Sequence, residues 1–225
     1  MACKQRIRES IEQSKEFYRK QREYDRFKEL WMHIVKKAHA AGLRVSAHVD
    51  TLSDYQVAIK AGVDEMAHLP GYYVGLEDNA DKHKLTKKEA RETARRKIWV
   101  IPAPIAYGSW MEKAVREKTD VVLKHNLNLL KTAKVRLAFG SDRYGSTPLD
   151  DVLYLSTLGV FSNLEMLKIW TEDTPRTIFP NRRIGKLREG YEASFLVLEG
   201  NPIDDFERIK NIQLRFKQGY LINVK

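Results

Sequence analysis

Between residues 42 and 158, short β-prone segments alternate with helical ones, and this alternation limits the fold more than any other feature of the sequence. Each predicted strand is a short apolar run, and each is followed by a loop and a segment with helical periodicity. Strands that are each followed by a helix pair in parallel, so the sequence predicts an α/β fold with a parallel sheet. The predicted strands are 43–48, 63–68, 98–103 and 135–140, and the predicted helices are 53–61, 87–97, 112–133 and 149–158.

Three of these strands end at or just before a residue that can bind a metal ion. His48 lies in LRVSAHVD, His68 in VDEMAHLPG and Asp142 in VRLAFGSDRYG. Parallel strands present their carboxyl ends at one edge of the sheet, so we expect these side chains to meet there. Two imidazoles and a carboxylate in one place are ligands that a catalytic zinc or a two-metal site uses.

Each of these residues also has a structural interpretation. A lone histidine at a strand end is more often a core residue, and a loop carboxylate often bonds to nearby hydroxyls or amides. Asp50 has two open roles, since it could orient the imidazole of His48 or cap the following helix. The functional interpretation depends on finding all three candidate ligands among four successive strand–helix units.

The chemistry of such a site would be hydrolysis. A metal bound by neutral imidazoles lowers the pKa of its water to about 7, and a nearby carboxylate takes the proton as the water attacks a carbonyl. Asp142 is the predicted base, and later the acid that protonates the leaving nitrogen. His68 is predicted to bind a second metal or to polarise the substrate carbonyl.

Residues in the predicted loops are candidates for substrate contact, with ordinary packing or solvent exposure as the alternative. Arg143 and Tyr144 adjoin Asp142, and Tyr107 lies in the loop after the third strand. The aromatic residues with the same two interpretations are Tyr72, Tyr73 and Trp110. The remaining histidines, His33, His39, His83 and His125, are assigned structural or surface positions.

Composition excludes several classes of protein. The 225 residues are 43% hydrophobic, which is enough for a core, and Cys3 is the one cysteine, so neither an internal disulfide nor a cysteine zinc cluster forms. The sequence has no apolar run of about 18 residues, so it predicts no membrane span. The polar start MACKQRIRES is unlike a secretory signal, and we therefore expect a cytoplasmic protein.

The chain is basic, with a net charge of +10. Residues 1–40 hold 11 basic and 6 acidic residues and belong to a predicted helical region over 5–41. A basic surface can attract nucleic acid, but here acidic residues interleave with the basic ones, which favours a solvated helix face. The sequence also contains no zinc finger, RNP-like strand or GxxG-type clamp, so nucleic-acid binding is the less favoured function.

Beyond residue 158 the pattern changes twice. Residues 163–179 are predicted to be helical, with Ser162 as N-cap and Pro175 opening a second short helix. After Pro180, glycines separate short predicted strands over 193–198, 212–217 and 220–224, which favour an antiparallel β unit.

Six stretches of the chain resemble the amidohydrolase superfamily, in particular its imidazolonepropionase- and prolidase-like metal-dependent hydrolases. The stretches are KKAHAAGLRVSAHVD, AGVDEMAHLPG, IWVIPAP, VRLAFGSDRYG, TPRTIFPNRRIGKLREGYEASFLVLEGNP and FKQGYLIN. The last two are the most distinctive, and the longer of them contains an IGxLxxGxxAxxxVLxGNP pattern.

The resemblance implies the C-terminal half of a (β/α)₈ TIM-type barrel, followed by the C-terminal strands of a small β-sandwich. The implied domains are a helical region at 1–41, a half-barrel with strands five to eight at 42–180 and sandwich strands at 181–225. His48 then corresponds to the strand-five metal ligand, His68 to the strand-six ligand and Asp142 to the strand-eight acid–base residue that also contacts metal. The implied cofactor is a divalent metal, most simply zinc, with one or two ions.

The resemblance implies an enzyme that cleaves the carbon–nitrogen bonds of small molecules, such as amides, cyclic amides or small dipeptides. The sequence departs from the family in lacking the HxH pair of strand one, and no residue is assigned as the metal-binding lysine of strand four. A half-barrel also leaves two open edge strands, which a missing N-terminal half or a second copy of the chain would cover. The alternative function is therefore a catalytically inactive, amidohydrolase-like interaction protein that needs a partner half.

Overall fold

The computed structural model describes residues 26–104, 112–143 and 147–222. The first helix, α1, is described over residues 26–40, within the predicted helical region. The alternation beyond it confirms the predicted α/β fold with a parallel sheet. Its elements are β1 (Ser46–His48), α2 (Leu52–Ala61), β2 (Glu65–Ala67), a 3₁₀ turn (Ala80–His83), α3 (Lys87–Arg95), β3 (Trp99–Ile101), α4 (Lys113–Thr132), β4 (Arg136–Leu137) and α5 (Leu149–Thr157).

The four strands form one parallel sheet in the order β1-β2-β3-β4. Their register aligns one residue from each strand in a row across the sheet, and all four members of this row are buried. The row belongs to a core cluster that also contains apolar residues of α2, α4 and α5. Because side chains alternate along a strand, the neighbouring residues point to the opposite face. The buried row is Ala47, Met66, Val100 and Leu137.

Side-chain caps fix where several helices begin. A capping box of Thr86 and Glu89 begins α3, as the Thr-x-x-Glu spacing predicts, and the predicted N-cap at Ser162 is confirmed. At α2 the N-cap is Thr51, paired with Asp54 in the same arrangement. The proposal that Asp50 caps this helix is therefore wrong, and its carboxylate has another role.

The C-terminal part contains a helical segment and an antiparallel sheet. Helix α6 (Asn163–Lys168) continues through a π-helical turn (Ile169–Asp173) into α7 (Thr174–Ile178), with Pro175 in its first turn as predicted. The predicted antiparallel pairing is confirmed by β5 (Phe195–Leu198), β6 (Ile212–Lys217) and β7 (Tyr220–Leu221), with a 3₁₀ turn (Phe206–Lys210) between the first two. No helix in the described ranges is both long and apolar enough to cross a membrane.

Three helices end in the same backbone geometry just before a strand of the parallel sheet. The φ values are 81° at Gly62, 60° at Lys97 and 58° at Lys134. In each case the backbone N–H of the next residue donates a hydrogen bond to a carbonyl within the helix, which closes the helix end. Glycine adopts this left-handed conformation without steric cost, whereas a side chain is strained there. The two lysines therefore occupy positions at which the backbone favours glycine.

The strain at Lys134 predicts a stabilising substitution. Lys134→Gly should raise the free energy of unfolding by about 0.5–1 kcal/mol, because relief of the left-handed strain exceeds the added freedom of the unfolded chain. Chemical denaturation measures the change. Lys124→Gly, within the same helix, is the matched control and should lower the free energy of unfolding by about 1 kcal/mol; equal signs for the two variants would show that Lys134 is not strained.

Candidate active site

The parallel register brings the three predicted metal ligands together at the carboxyl edge of the sheet. His48 is the last residue of β1, His68 follows β2 directly, and Asp142 lies in the loop after β4. The imidazole rings of His48 and His68 lie edge to face with centroids 4.8 Å apart. The Nε2 atom of His68 lies 3.5 Å from Oδ2 of Asp142.

His68 is held in one orientation by two backbone contacts to the end of β3 and the residues that follow it. The residue is 4% exposed and adopts a left-handed φ of 71°, and its backbone N–H donates to the carbonyl of Ile101 at 2.9 Å. The ring Nδ1 lies 3.2 Å from the carbonyl oxygen of Ala103. Because a carbonyl can only accept a hydrogen bond, Nδ1 carries the proton, and in the neutral ring the lone pair is on Nε2, facing Asp142.

The electrostatic environment favours the neutral form of His68. Burial lowers the pKa of the imidazole, and the nearby His48 lowers it further, while Asp142 and the Ala103 carbonyl act in the opposite direction with less effect. A neutral imidazole is the form that binds metal ions.

Asp50 and Tyr72 link the two imidazoles. Oδ1 of Asp50 lies 2.9 Å from Nε2 of His48 and accepts a hydrogen bond of 2.6 Å from the hydroxyl of Tyr72. The Tyr72 ring in turn stacks on His68, with a centroid distance of 4.4 Å. This arrangement matches the first of the two roles predicted for Asp50, that of orienting His48.

Helix α4 anchors the loop that carries Tyr72. Asn126 is fully buried, and its amide donates to the carbonyls of Pro70 and His83 at 2.8 Å each and accepts from the N–H of Leu85 at 2.7 Å. One turn or more away, the Lys118 ammonium donates to the carbonyls of Gly75, Leu76 and Asp78 at 2.9, 2.7 and 2.6 Å. The helix side chains thereby fix a segment whose one regular element among the described residues is the short 3₁₀ turn.

Of the three residues Arg143, Tyr144 and Tyr107, predicted to contact substrate, the structure describes Arg143. Arg143 pairs with Asp150 at the start of α5, at 2.9 Å, beside the exposed side chain of Asp142. Tyr107 and Tyr144, predicted as further contacts, lie outside the described residues.

The described parts of the chain do not complete a metal site by themselves. Across residues 26–104, 112–143 and 147–222, no group of three or more His, Cys, Asp or Glu side chains is arranged so that it could hold a metal ion.

The role of Asn126 leads to a stability prediction. Asn126→Ala should lower the free energy of unfolding by about 2–3 kcal/mol, because one buried carbonyl, one partly buried carbonyl and one buried N–H lose their partner. Asn128→Ala is the matched control on the same helix. The Asn128 side chain is exposed and donates to the Lys124 carbonyl, so the change should stay within about 0.5 kcal/mol. Chemical denaturation of both variants tests this, and a loss of similar size in each would contradict the anchoring role.

Comparisons with a family sequence model and with characterised proteins agree on one family. The sequence model of the amidohydrolase family matches residues 25–222. Among characterised proteins, the ochratoxinase of Aspergillus niger is 30% identical over 199 residues, which is 84% of this chain. The chain spans 40% of the length of that relative.

Solved structures have the same fold over a similar portion. The crystal structure of A. niger ochratoxinase superimposes with a TM-score of 0.67 at 25% identity, covering 86% of this chain and 45% of that one. A prolidase in complex with N-methylphosphonate-L-proline superimposes with a TM-score of 0.66 at 21% identity, covering 88% of this chain and 49% of the other. The second likeness concerns the fold alone.

Proposed function

Because the chain belongs to the amidohydrolase family, we propose that it is the C-terminal part of a metal-dependent hydrolase that cleaves carbon–nitrogen bonds in small molecules. The substrates proposed are amides, cyclic amides or small dipeptides. The family membership supports hydrolysis of amide-type bonds, and the cluster at the carboxyl edge of the sheet supports the metal dependence.

The observation that carries the proposal is the pair of acceptor atoms formed by His68 and Asp142. The lone pair on Nε2 of His68 faces a carboxylate oxygen at 3.5 Å, and two acceptors at this separation need a cation or a donor between them. A tetrahedral zinc ion, with bonds of about 2.0–2.2 Å to nitrogen and oxygen, separates two of its ligand atoms by about 3.4 Å. The pair therefore fits two corners of such a site.

His48 is the proposed third donor of this chain. Its Nε2 is turned towards Asp50, so Nδ1 is the atom left to bind a metal. A carboxylate on the other ring nitrogen fixes the orientation of a ligating imidazole and raises its basicity. Asp50, held by Tyr72, is thus proposed as a positioning residue for His48.

The bound metal would supply a water of lowered pKa and polarise the substrate carbonyl. Asp142, whose side chain is 56% exposed, is placed to take a proton from the attacking water. The same carboxyl group then donates that proton to the leaving nitrogen. His68 is proposed to stay neutral, because its Nδ1–H donates to the Ala103 carbonyl and burial lowers the pKa of the imidazole.

We propose that the parallel sheet represents strands five to eight of a (β/α)₈ barrel, spanning residues 42–180. The order of four parallel strands and the coverage of less than half of the related structures support this assignment. Residues 1–41 would lead into the barrel, and 181–225 would complete a small β-sandwich. The remaining metal ligands would come from a preceding half of the protein or from a second chain.

A second candidate function is an inactive interaction protein with the same fold. It is favoured by the lack of an HxH motif in the sequence and by the absence of a complete ligand group among the described residues. Such a protein would retain the fold without retaining metal.

Metal binding by variants of this chain separates the two candidates. His68→Ala should weaken Zn²⁺ binding at least tenfold, because it removes the buried, oriented donor. His33→Ala, on the exposed face of α1, should leave the affinity unchanged. Calorimetric titration with Zn²⁺ measures both; an unaltered affinity in the His68 variant would exclude the proposed site and favour the inactive protein.

Asp142→Asn should lower kcat by a factor of about 10²–10⁴, because the amide cannot exchange a proton with water or leaving group. The comparison variant is Asp150→Asn, which removes a nearby carboxylate that pairs with Arg143 instead. Assays of the full-length protein on a panel of amides, cyclic amides and dipeptides measure the effect. Equal losses of kcat in the two variants would show that Asp142 has no special role.

A further inference from the structure

A large cavity lies at the opposite end of the parallel sheet from the histidine cluster. Its volume is about 1210 Å³, above the range of about 300–1,000 Å³ that is common for small-molecule pockets. Its wall contains the residues that precede β2, β3 and β4, together with the segment after α7. The cavity is therefore separate from the proposed hydrolase site, and a ligand bound in it would not depend on hydrolase activity.

The lining of this cavity is strongly basic. Ten Lys or Arg side chains line it, against three acidic ones. The acidic residues are already engaged: Glu165 pairs with Lys131 at 2.8 Å, Asp173 with Arg176 at 2.9 Å, and Asp64 with His39 at 2.9 Å. The acidic residues therefore neutralise only a small part of the positive charge.

Three further cations of the lining pair with acids outside the cavity, but five remain. No ion pair with any residue in the described ranges is formed by Lys97, Lys134, Arg136, Lys168 or Arg183. Arg136 lies over the ring of Trp99, with its guanidinium carbon 5.6 Å from the ring centroid, so its charge is not neutralised. These cations are exposed, and like charges gathered along one concave wall repel one another unless an anion joins them.

Two of the five unpaired cations stand where the backbone favours glycine. Lys97 and Lys134 have left-handed φ values, at the position that Gly62 holds at the end of α2. Gly62 also lines the cavity, and a side chain there would meet open space. The two lysines thus impose strain on the fold and at the same time add charge to one wall.

We propose that this cavity binds a small molecule with several phosphate groups. Phosphates are the ligands that clustered Lys and Arg recognise best, since guanidinium groups bind them through two parallel hydrogen bonds and ammonium groups add compact charge. The five cations without an ion pair in the described ranges provide for several phosphate charges in one ligand. The aromatic walls formed by Trp99, Phe161 and Tyr191 can contact an attached ring.

The alternative is that the lysines serve the helices alone. Cations at helix C-termini stabilise the helix dipole, and Lys97 and Lys134 both follow helix ends. The two roles predict opposite effects on stability. A lysine that serves the helix destabilises the protein when replaced, whereas a strained lysine that serves a ligand does not.

Calorimetric titration with inorganic tripolyphosphate at low ionic strength tests the proposal on the 225-residue chain. The wild-type protein should bind it, and Lys97→Gly combined with Lys134→Gly should weaken the affinity at least tenfold. The thermal unfolding midpoint of this double variant should be unchanged or higher. Lys88→Gln combined with Lys124→Gln removes the same charge from exposed helix surfaces outside the cavity and should change the affinity less than twofold.

Four results would overturn the proposal. They are the absence of tripolyphosphate binding, an equal loss of affinity in the two double variants, a lowered unfolding midpoint with unchanged affinity in the glycine variant, and binding of single-stranded RNA without binding of tripolyphosphate. The third result would assign the lysines to the helix ends. The fourth would assign the cavity to a nucleic acid.

Discussion

The register of the parallel sheet is the constraint on which the candidate site depends. The paired residues Ala47, Met66, Val100 and Leu137 form a buried row, and a shift of one residue would turn that row towards solvent. The same register fixes the level at which His48 ends its strand and His68 leaves the next one. The hydrophobic core thereby determines the separation of the two imidazoles, although neither imidazole belongs to the buried row.

A second layer of contacts converts this proximity into a defined arrangement of donor atoms. The Ala103 carbonyl accepts a hydrogen bond from Nδ1–H of His68, so the lone pair of the neutral ring is on Nε2 and is directed at Asp142. Asn126 and Lys118 hold the loop that brings Tyr72 against His68 and Asp50. The strands fix the positions of the two imidazoles, and α4 fixes the loop whose Tyr72 contacts them. The opposite end of the sheet shows a different chemistry, in which ten Lys or Arg side chains, two of them at strained helix ends, outnumber three acidic ones.

Sequence patterns are sufficient to predict the helices and strands, and the edge of the sheet at which the candidate ligands meet. The capping box at Thr86 and the alternation of strands and helices depend on neighbours in the chain, so they are visible in the sequence. The strands are shorter than predicted, because the extent of inter-strand hydrogen bonding, and not the length of the apolar run, sets their bounds. The anchoring by Asn126 could not be predicted, since its partners lie about 40 or more residues away. The left-handed lysines run against residue preference, so they too were missed.

The tautomer of His68 tests the central claim most directly. Long-range ¹H–¹⁵N NMR of the imidazole groups, recorded at neutral pH on the metal-free chain, distinguishes a proton on Nδ1 from one on Nε2. The structure predicts that His68 carries its proton on Nδ1, and that Zn²⁺ shifts the Nε2 resonance of this residue. A proton on Nε2, donated to Asp142 and unaffected by Zn²⁺, would contradict the claim, because the two facing acceptors that define the site would not exist.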